Sequence, residues 1–206
     1  TPYYGVLWPS AIGLSQSVSS FVEEGDSVLE LGCGLGLGGI ATALAARPSR
    51  VLVTDYDPAA VYLARLSAKL SGVSRSVLRA APVDWNEREQ WASHGLRRDA
   101  FDVAIAADII YEAAACKPVA DILAHALRPG GRFLLADGES RLHRAQLRDA
   151  LLERGRFVAL EGSARVLDIE ESKGLSSSQR GTKGADLKIE AGRVVLQCYE
   201  RTSAAA

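Results

Sequence analysis

The sequence predicts a doubly wound α/β fold, a seven-stranded sheet that is mostly parallel with its last strand antiparallel. Three observations predict it. Short apolar runs alternate with helical stretches, the pattern of parallel strands joined by crossover helices. A glycine-rich turn follows the first of these runs and opens a helix. The last two runs have no helix between them, so the final strand inserts antiparallel as a hairpin partner of the sixth.

In chain order, Ile12, Leu14, Val18, Phe21 and Val22 mark a helix ending at Gly25, so residues 1–25 form an N-terminal segment and helix. The first strand is Val28-Leu29-Glu30-Leu31, followed by the turn Gly32-Cys33-Gly34-Leu35-Gly36 and a helix from Ile40 to Ala46 that Arg47-Pro48 ends. A second strand, Val51 to Thr54, runs into Asp55, and Asp57-Pro58 supplies an N-cap with proline in the first turn of a helix to about Leu70. A weaker third strand lies near Ser76–Ala80 and leads to Val83-Asp84-Trp85. The fourth, Phe101 to Ala107, stops at Asp108. A helix over Val119–Leu127 and the turn Arg128-Pro129-Gly130-Gly131 precede the fifth strand, Arg132 to Ala136. A helix over about Ser140–Arg154 and strands at Phe157–Leu160 and Arg193–Tyr199 complete the pattern. Residues 170–184, rich in Ser and Gly, read as a mobile surface loop that touches the substrate, because strand-like sequence resumes beyond them.

Length and composition bound the function. At 206 residues the chain fits one domain, residues 1–206, of a size that buries a real core. With 24 Lys+Arg against 25 Asp+Glu it lacks the basic footprint of a duplex-nucleic-acid binder. No apolar run approaches the ~18 residues of a membrane span. Three distant cysteines (Cys33, Cys116 and Cys198) form no CxxC pair, which argues against a disulfide framework or a zinc site and for a reducing compartment. His94, His125 and His143 show no metal-site spacing. The expectation is a cytoplasmic monomer without metal. Because the chain begins at Thr1 and has no methionine, a lost targeting peptide, and with it a nuclear or mitochondrial setting, stays open.

The chemistry sits in the glycine turn. Glycines where a strand becomes a helix let a ligand approach the backbone and expose helix N-terminal N–H groups. Asp55, nineteen residues after Gly36 and at the next strand end, is placed to accept both hydroxyls of a ribose. Gly34-Leu35-Gly36-Leu37-Gly38-Gly39 is a literal GxGxxG, the dinucleotide fingerprint, yet it starts two residues beyond the onset of the turn at Gly32. Glu30 stands just inside the loop, where it would repel a pyrophosphate and help hold a cation. S-adenosylmethionine, with an ammonium and a sulfonium and no phosphate, suits it better than NAD.

Glu30-Leu-Gly-Cys-Gly-Leu-Gly, Thr54-Asp55 and Pro129-Gly-Gly resemble the seven-β-strand, Rossmann-like S-adenosylmethionine-dependent methyltransferases. Leu7-Trp8-Pro9-Ser10-Ala11, Asp84-Trp85 and Ala106-Ala107-Asp108-Ile109-Ile110-Tyr111 resemble, more narrowly, the protein-lysine methyltransferases that modify elongation factors, Hsp70-type chaperones, calmodulin and the electron-transfer flavoprotein β subunit. The resemblance covers about residues 4–140. It implies cofactor contacts at Trp8, Gly32, Cys33, Gly34, Asp55, Trp85 and Ala107, with Glu30 beside them and Asp84 near the adenine amino group. It also implies that Asp108 and Tyr111 face a substrate lysine on a protein partner. A carboxylate of ordinary pKa ~3.9 is a poor base, so Asp108 reads as the group that binds and aims the ammonium. Taken singly, Trp8 and Trp85 read as well as core aromatics, Asp108 as a helix N-cap, Tyr111 as a rim residue and Cys33 as a small apolar filler. A methyltransferase for a small-molecule amine or for nucleic acid, an NAD(P)-dependent oxidoreductase and a silent binding module are the alternatives. Ile109-Ile110 stand where base-amine and glutamine methyltransferases typically carry a proline pair, which argues against those two.

Overall fold

The computed structural model describes residues 5–170 and 191–202. Eight strands form one sheet in the order β3-β2-β1-β4-β5-β8-β6, and β7 also pairs with β8. The strands are β1 (Ser27–Leu31), β2 (Arg50–Asp55), β3 (Leu78–Pro82), β4 (Phe101–Ala107), β5 (Leu127–Gly138), β6 (Phe157–Ala159), β7 (Arg165–Ile169) and β8 (Gly192–Arg201). The first five are parallel, and β8 runs antiparallel to β5, β6 and β7. The helices are α1 (Pro9–Ser17), α2 (Leu37–Ala45), α3 (Pro58–Leu70), α4 (Cys116–Ala126) and α5 (Arg144–Gly155).

β1 is buried along its whole length, as a central parallel strand covered on both faces must be. Alternate side chains serve two cores. Leu29 and Leu31 pack with Val119, Ile122 and Leu123 of α4, whereas Val28 packs with Leu14 of α1, Ile40 of α2 and Val61 of α3. Glu30 shares the face of Val28 by the two-residue period and so points toward α2. The chain order reverses between β1 and β4, which puts the topological switch point at the carboxyl ends of these two strands, where open α/β sheets bind ligands.

Four sequence expectations are corrected. The sheet has eight strands, because β6 and β7 share the outer edge of β8, pairing with residues 199–201 and 192–196 respectively. β8 is also more than a hairpin partner of the sixth strand, since its longest pairing, seven residues, is with β5. The first helix stops at Ser17 and gives way to a 3-10 turn over Val18–Ser20, well short of Gly25. Its serines are the cause: Ser15, Ser17 and Ser20 donate their hydroxyls to the carbonyls of Ile12, Gly13 and Ser17 in competition with the helix ladder. The start of the last helix is shifted as well, with α5 beginning at Arg144 and not near Ser140. The expected N-cap at Asp57 is present, its carboxylate accepting from Ala59 N at 2.8 Å ahead of Pro58. Of the expected 170–184 loop, residues 171–184 lie outside the described residues.

Candidate active site

A cleft of about 230 Å³ opens at the switch point. Its floor is the turn from β1 into α2. Gly32, Gly34 and Gly36 all have positive φ, at 63°, 51° and 82°, a region costly for any residue with a Cβ. A Cβ at Gly32 would also lie 2.7 Å from Ile109 Cγ2, so glycine alone lets the loop pass beneath the segment after β4. Cys33 N donates to Thr54 O at 2.9 Å and fastens the loop to β2. The Cys33 thiol is pushed well above its ordinary range by burial and by the carboxylates of Glu30 and Asp55, which makes it a filler and not a nucleophile.

Asp55, at the end of β2, is 6% exposed and pinned from two sides. Its Oδ2 accepts from Gly34 N at 3.0 Å and its Oδ1 from Asp57 N at 3.1 Å. Burial raises its pKa, against those backbone bonds. Glu30 is buried more deeply, and its Oε2 accepts from Gly39 N at 2.9 Å, so it caps the first turn of α2 from the neighbouring strand. Burial pushes its pKa up to about 8 against the N–H groups of Gly39 and Gly38, with the Asp55 charge adding to the rise.

The segment after β4 forms the opposite wall. Ile109 and Ile110 are buried and anchor it, leaving Asp108 facing the cleft and Tyr111 half exposed on its rim. Asp108 adopts a left-handed conformation, φ 59°, which aspartate tolerates better than most residues. Its N–H donates to Ala136 O at 2.9 Å, and its Oδ1 accepts from Arg141 Nη2. Trp8, the residue before Pro9 of α1, and Trp85, after β3, close the ends. Trp85 Nε1 is buried without a hydrogen-bond partner.

The structure thus gathers Trp8, Glu30, Gly32, Cys33, Gly34 and Asp55 with Trp85, Ala107, Asp108 and Tyr111 around one space. Asp84 stands apart. It is exposed, is not part of the cleft wall, and its Oδ1 accepts from Asn86 N and Nδ2 at 2.8 and 3.0 Å. Tyr56, not singled out from sequence, and Asp57, read there only as a helix N-cap, also line the cleft, although their place directly after Asp55 was signal enough. Gly39 belongs to helix packing: a Cβ there would lie 2.3 Å from Val53 Cγ1. The literal GxGxxG therefore ends inside α2, against the sheet and away from the cleft wall.

The lining has a decisive charge pattern. Glu30, Asp55, Asp57 and Asp108 contribute four carboxyl groups, and no Lys, Arg or His belongs to it among the described residues. No cluster of three or more metal-ligating side chains occurs among the described residues, nor is any described helix long and apolar enough to cross a membrane.

Fold and site together define a Rossmann-like methyltransferase-type domain, with its ligand cleft at the carboxyl ends of β1, β2 and β4. The chain matches the lysine methyltransferase family over residues 4–148 and belongs to it. It is 31% identical over 150 residues to a ribosomal protein L11 methyltransferase of Geobacillus thermodenitrificans, covering 73% of this chain and 44% of that one. It is 27% identical over 136 residues to the electron transfer flavoprotein beta subunit lysine methyltransferase of Xenopus laevis, covering 65% and 51%. The chain spans about half the length of these relatives. In fold it is similar to M. jannaschii TYW2 in complex with AdoMet, with a TM-score of 0.60 at 16% identity, covering 95% of this chain and 78% of that one.

Proposed function

We propose that residues 1–206 act as one S-adenosylmethionine-dependent N-methyltransferase domain that methylates a lysine side chain of a protein, in the reducing setting that three free, buried cysteines suit. One observation carries the reading: among the described residues three aspartates and the buried Glu30 line the cleft with no cation. Such a wall disfavours a phosphate-bearing dinucleotide and suits a ligand carrying a sulfonium and an ammonium. Both relatives are named for methylating proteins, and one of them for methylating lysine, which supports the substrate class.

S-adenosylmethionine, when bound, supplies a methyl group on a sulfonium that leaves readily. The work left to the chain is orientation and a neutral nucleophile. Asp55 is held rigid by the Gly34 and Asp57 N–H groups and keeps lone pairs for a ribose. The unpartnered Trp85 indole N–H is a donor waiting for an acceptor. A lysine amine of ordinary pKa ~10.4 is neutral only about one part in a thousand near pH 7.4, a cost of roughly 4 kcal/mol, which partial desolvation in the cleft lowers. Asp108 attracts the ammonium and aims it, Tyr111 offers an aromatic face on the rim, and the released proton passes to water.

Asp108→Asn keeps the shape and removes the charge. It should bind S-adenosylmethionine within a few-fold of wild type by calorimetry and lose roughly two decades of methylation, the scale of a lost positioning contact. The substrate comes from a matching cell lysate with labelled cofactor, followed by identification of the labelled residue. Equal loss of cofactor binding and methylation would move Asp108 to the cofactor side, and tight NAD binding by the wild type would end the methyltransferase reading.

A further inference from the structure

Behind Asp108 lies a second carboxylate that none of the preceding chemistry uses. Ala107 of β4 and Ala136 of β5 are register partners, so Asp108 and Asp137 follow them side by side at the carboxyl edge of the sheet. Asp137 is 0% exposed, and neither of its side-chain oxygens has a hydrogen-bond partner. A buried carboxyl in that state is expensive and calls for a cation or a proton. Arg141 pairs with Asp108, the neighbour of Asp137 across the strands, and its charge acts on Asp137 without a direct ion pair. Its Nη2 donates to Asp108 Oδ1, while its Nε is buried and, like Asp137, has no partner. Arg144, the other cation near Asp137, has its guanidinium committed to the carbonyls of Gly138 and Glu139 at 2.7 and 2.6 Å. The position of Arg141 relative to the cleft matters most. Asp108 is part of the cleft wall and Arg141 is not, so the guanidinium holds the carboxylate from outside the lining.

We propose that Arg141 and Asp137 are positioning residues for Asp108. The Arg141 guanidinium fixes Asp108 through Oδ1 and leaves the other carboxylate oxygen to receive a primary ammonium from the cleft, while Asp137 is the buried anion that keeps the guanidinium in place. This rests on the reading of Asp108 as the substrate-facing acid. The arrangement follows the general logic of an aimed acid, in which the group that meets the substrate is oriented by a partner and the partner by a third group. It also gives Asp137 a purpose. Burial first, and then the Asp108 charge, push its pKa up to about 7, against the opposing pull of Arg141 and Arg144, so its ionised form depends on those two cations.

The test uses n-butylammonium, the reacting end of a lysine, titrated into the protein with S-adenosylhomocysteine present. The three tryptophan indole N–H signals are followed by NMR, that of Trp85 reporting on the cleft. Arg141→Gln should weaken binding about tenfold and Arg141→Lys by less, since lysine restores the charge but not the fork. Asp137→Asn should weaken binding several-fold in the presence of Arg141 and have no effect in the Arg141→Gln background, a coupling that a merely structural role for Asp137 would not show. Binding by Arg141→Gln as tight as wild type, or tighter, overturns the proposal, because the guanidinium then competes with the ammonium. Equal effects of Asp137→Asn in both backgrounds overturn it too. Asp108→Asn separates the two levels: if it leaves binding unchanged, the reading of Asp108 itself fails and the relay with it, whereas if Asp108→Asn abolishes binding and Arg141→Gln does not weaken it, only the relay fails. Should Arg141→Gln not fold, as judged by its S-adenosylhomocysteine affinity, the comparison of Arg141→Lys with wild type decides.

Discussion

Glu30 makes stability depend on pH in a direction opposite to ordinary acid denaturation. Its carboxyl is 3% exposed, and burial holds its pKa at about 8 in place of the ordinary 4.5. The native state therefore keeps a proton up to about pH 8 that the unfolded chain releases near 4.5. Across that window the native state binds more protons, so stability falls as pH rises, and the fall stops above the folded pKa. At 1.36 kcal/mol per unit of pKa, the full effect is on the order of 5 kcal/mol. Asp137, with its own value of about 7, acts with the same sign and has nearly finished titrating by pH 8. Between pH 7 and 8 most of the slope therefore belongs to Glu30.

Glu30→Gln isolates it. The amide oxygen can keep the bond from Gly39 N, while the amide NH2 meets the Gly38 N–H at a cost that does not vary with pH. The offset between variant and wild type is thus uninformative and the slope is the signal. Urea unfolding followed by tryptophan fluorescence at pH 6, 7, 8 and 9 should show the wild type losing about 1 kcal/mol more than the variant from pH 7 to 8. Parallel curves would refute the argument and mean that the N–H groups of α2 keep Glu30 ionised despite its burial.

Asp55→Ala removes the acceptor of the Gly34 and Asp57 N–H groups together with the expected ribose contact, and calorimetry should show S-adenosylmethionine binding at least about tenfold weaker. Retained affinity would remove Asp55 from the cofactor site. Gly39→Ala drives a methyl into Val53, and overpacking of about 1–3 kcal/mol should lower the melting temperature by roughly 2–12 °C. Gly138→Ala, where an added Cβ meets nothing within 4 Å, should stay within about 2 °C of wild type. Equal melting temperatures for these two glycine variants would mean that the contact between α2 and β2 has room to spare.

The parallel half of the sheet was legible because its signals are local and redundant. Val51 to Thr54 is apolar and β-branched, ends on a polar residue, and is followed by Asp57-Pro58, so propensity, burial and capping agree. β7 was not legible, since only Ile169 of its five residues is buried and the strand exists through its pairing with β8, far along the chain. The cleft residues near glycines and strand ends were found by position. Asp137 was missed for the opposite reason: it looks like one more polar residue at the end of β5, and only its burial and its lack of partners set it apart. Asp84 illustrates the converse error of adjacency, because its neighbour Trp85 turns into the cleft while its own carboxylate folds back onto Asn86.

The four acids of the cleft raise a physical question that the fold answers the same way at three of them. Carboxylates crowded in one cleft repel one another and lose hydration, which would unfold the loops that carry them unless each is compensated. A cation placed among them would serve, but it would fill the space where a cationic ligand has to bind. Here the compensation comes from outside the cleft wall or from the backbone. The Gly34 and Asp57 N–H groups hold Asp55, the first turn of α2 and a retained proton hold Glu30, and Arg141 holds Asp108. Asp55 and Asp108 are thus compensated from outside the cleft wall or by the backbone and stay available for positive charge, while Glu30 stays neutral. A sulfonium, an amino-acid ammonium and a lysine ammonium are three such charges, and a protein-lysine methyltransferase must bring all of them into one cleft.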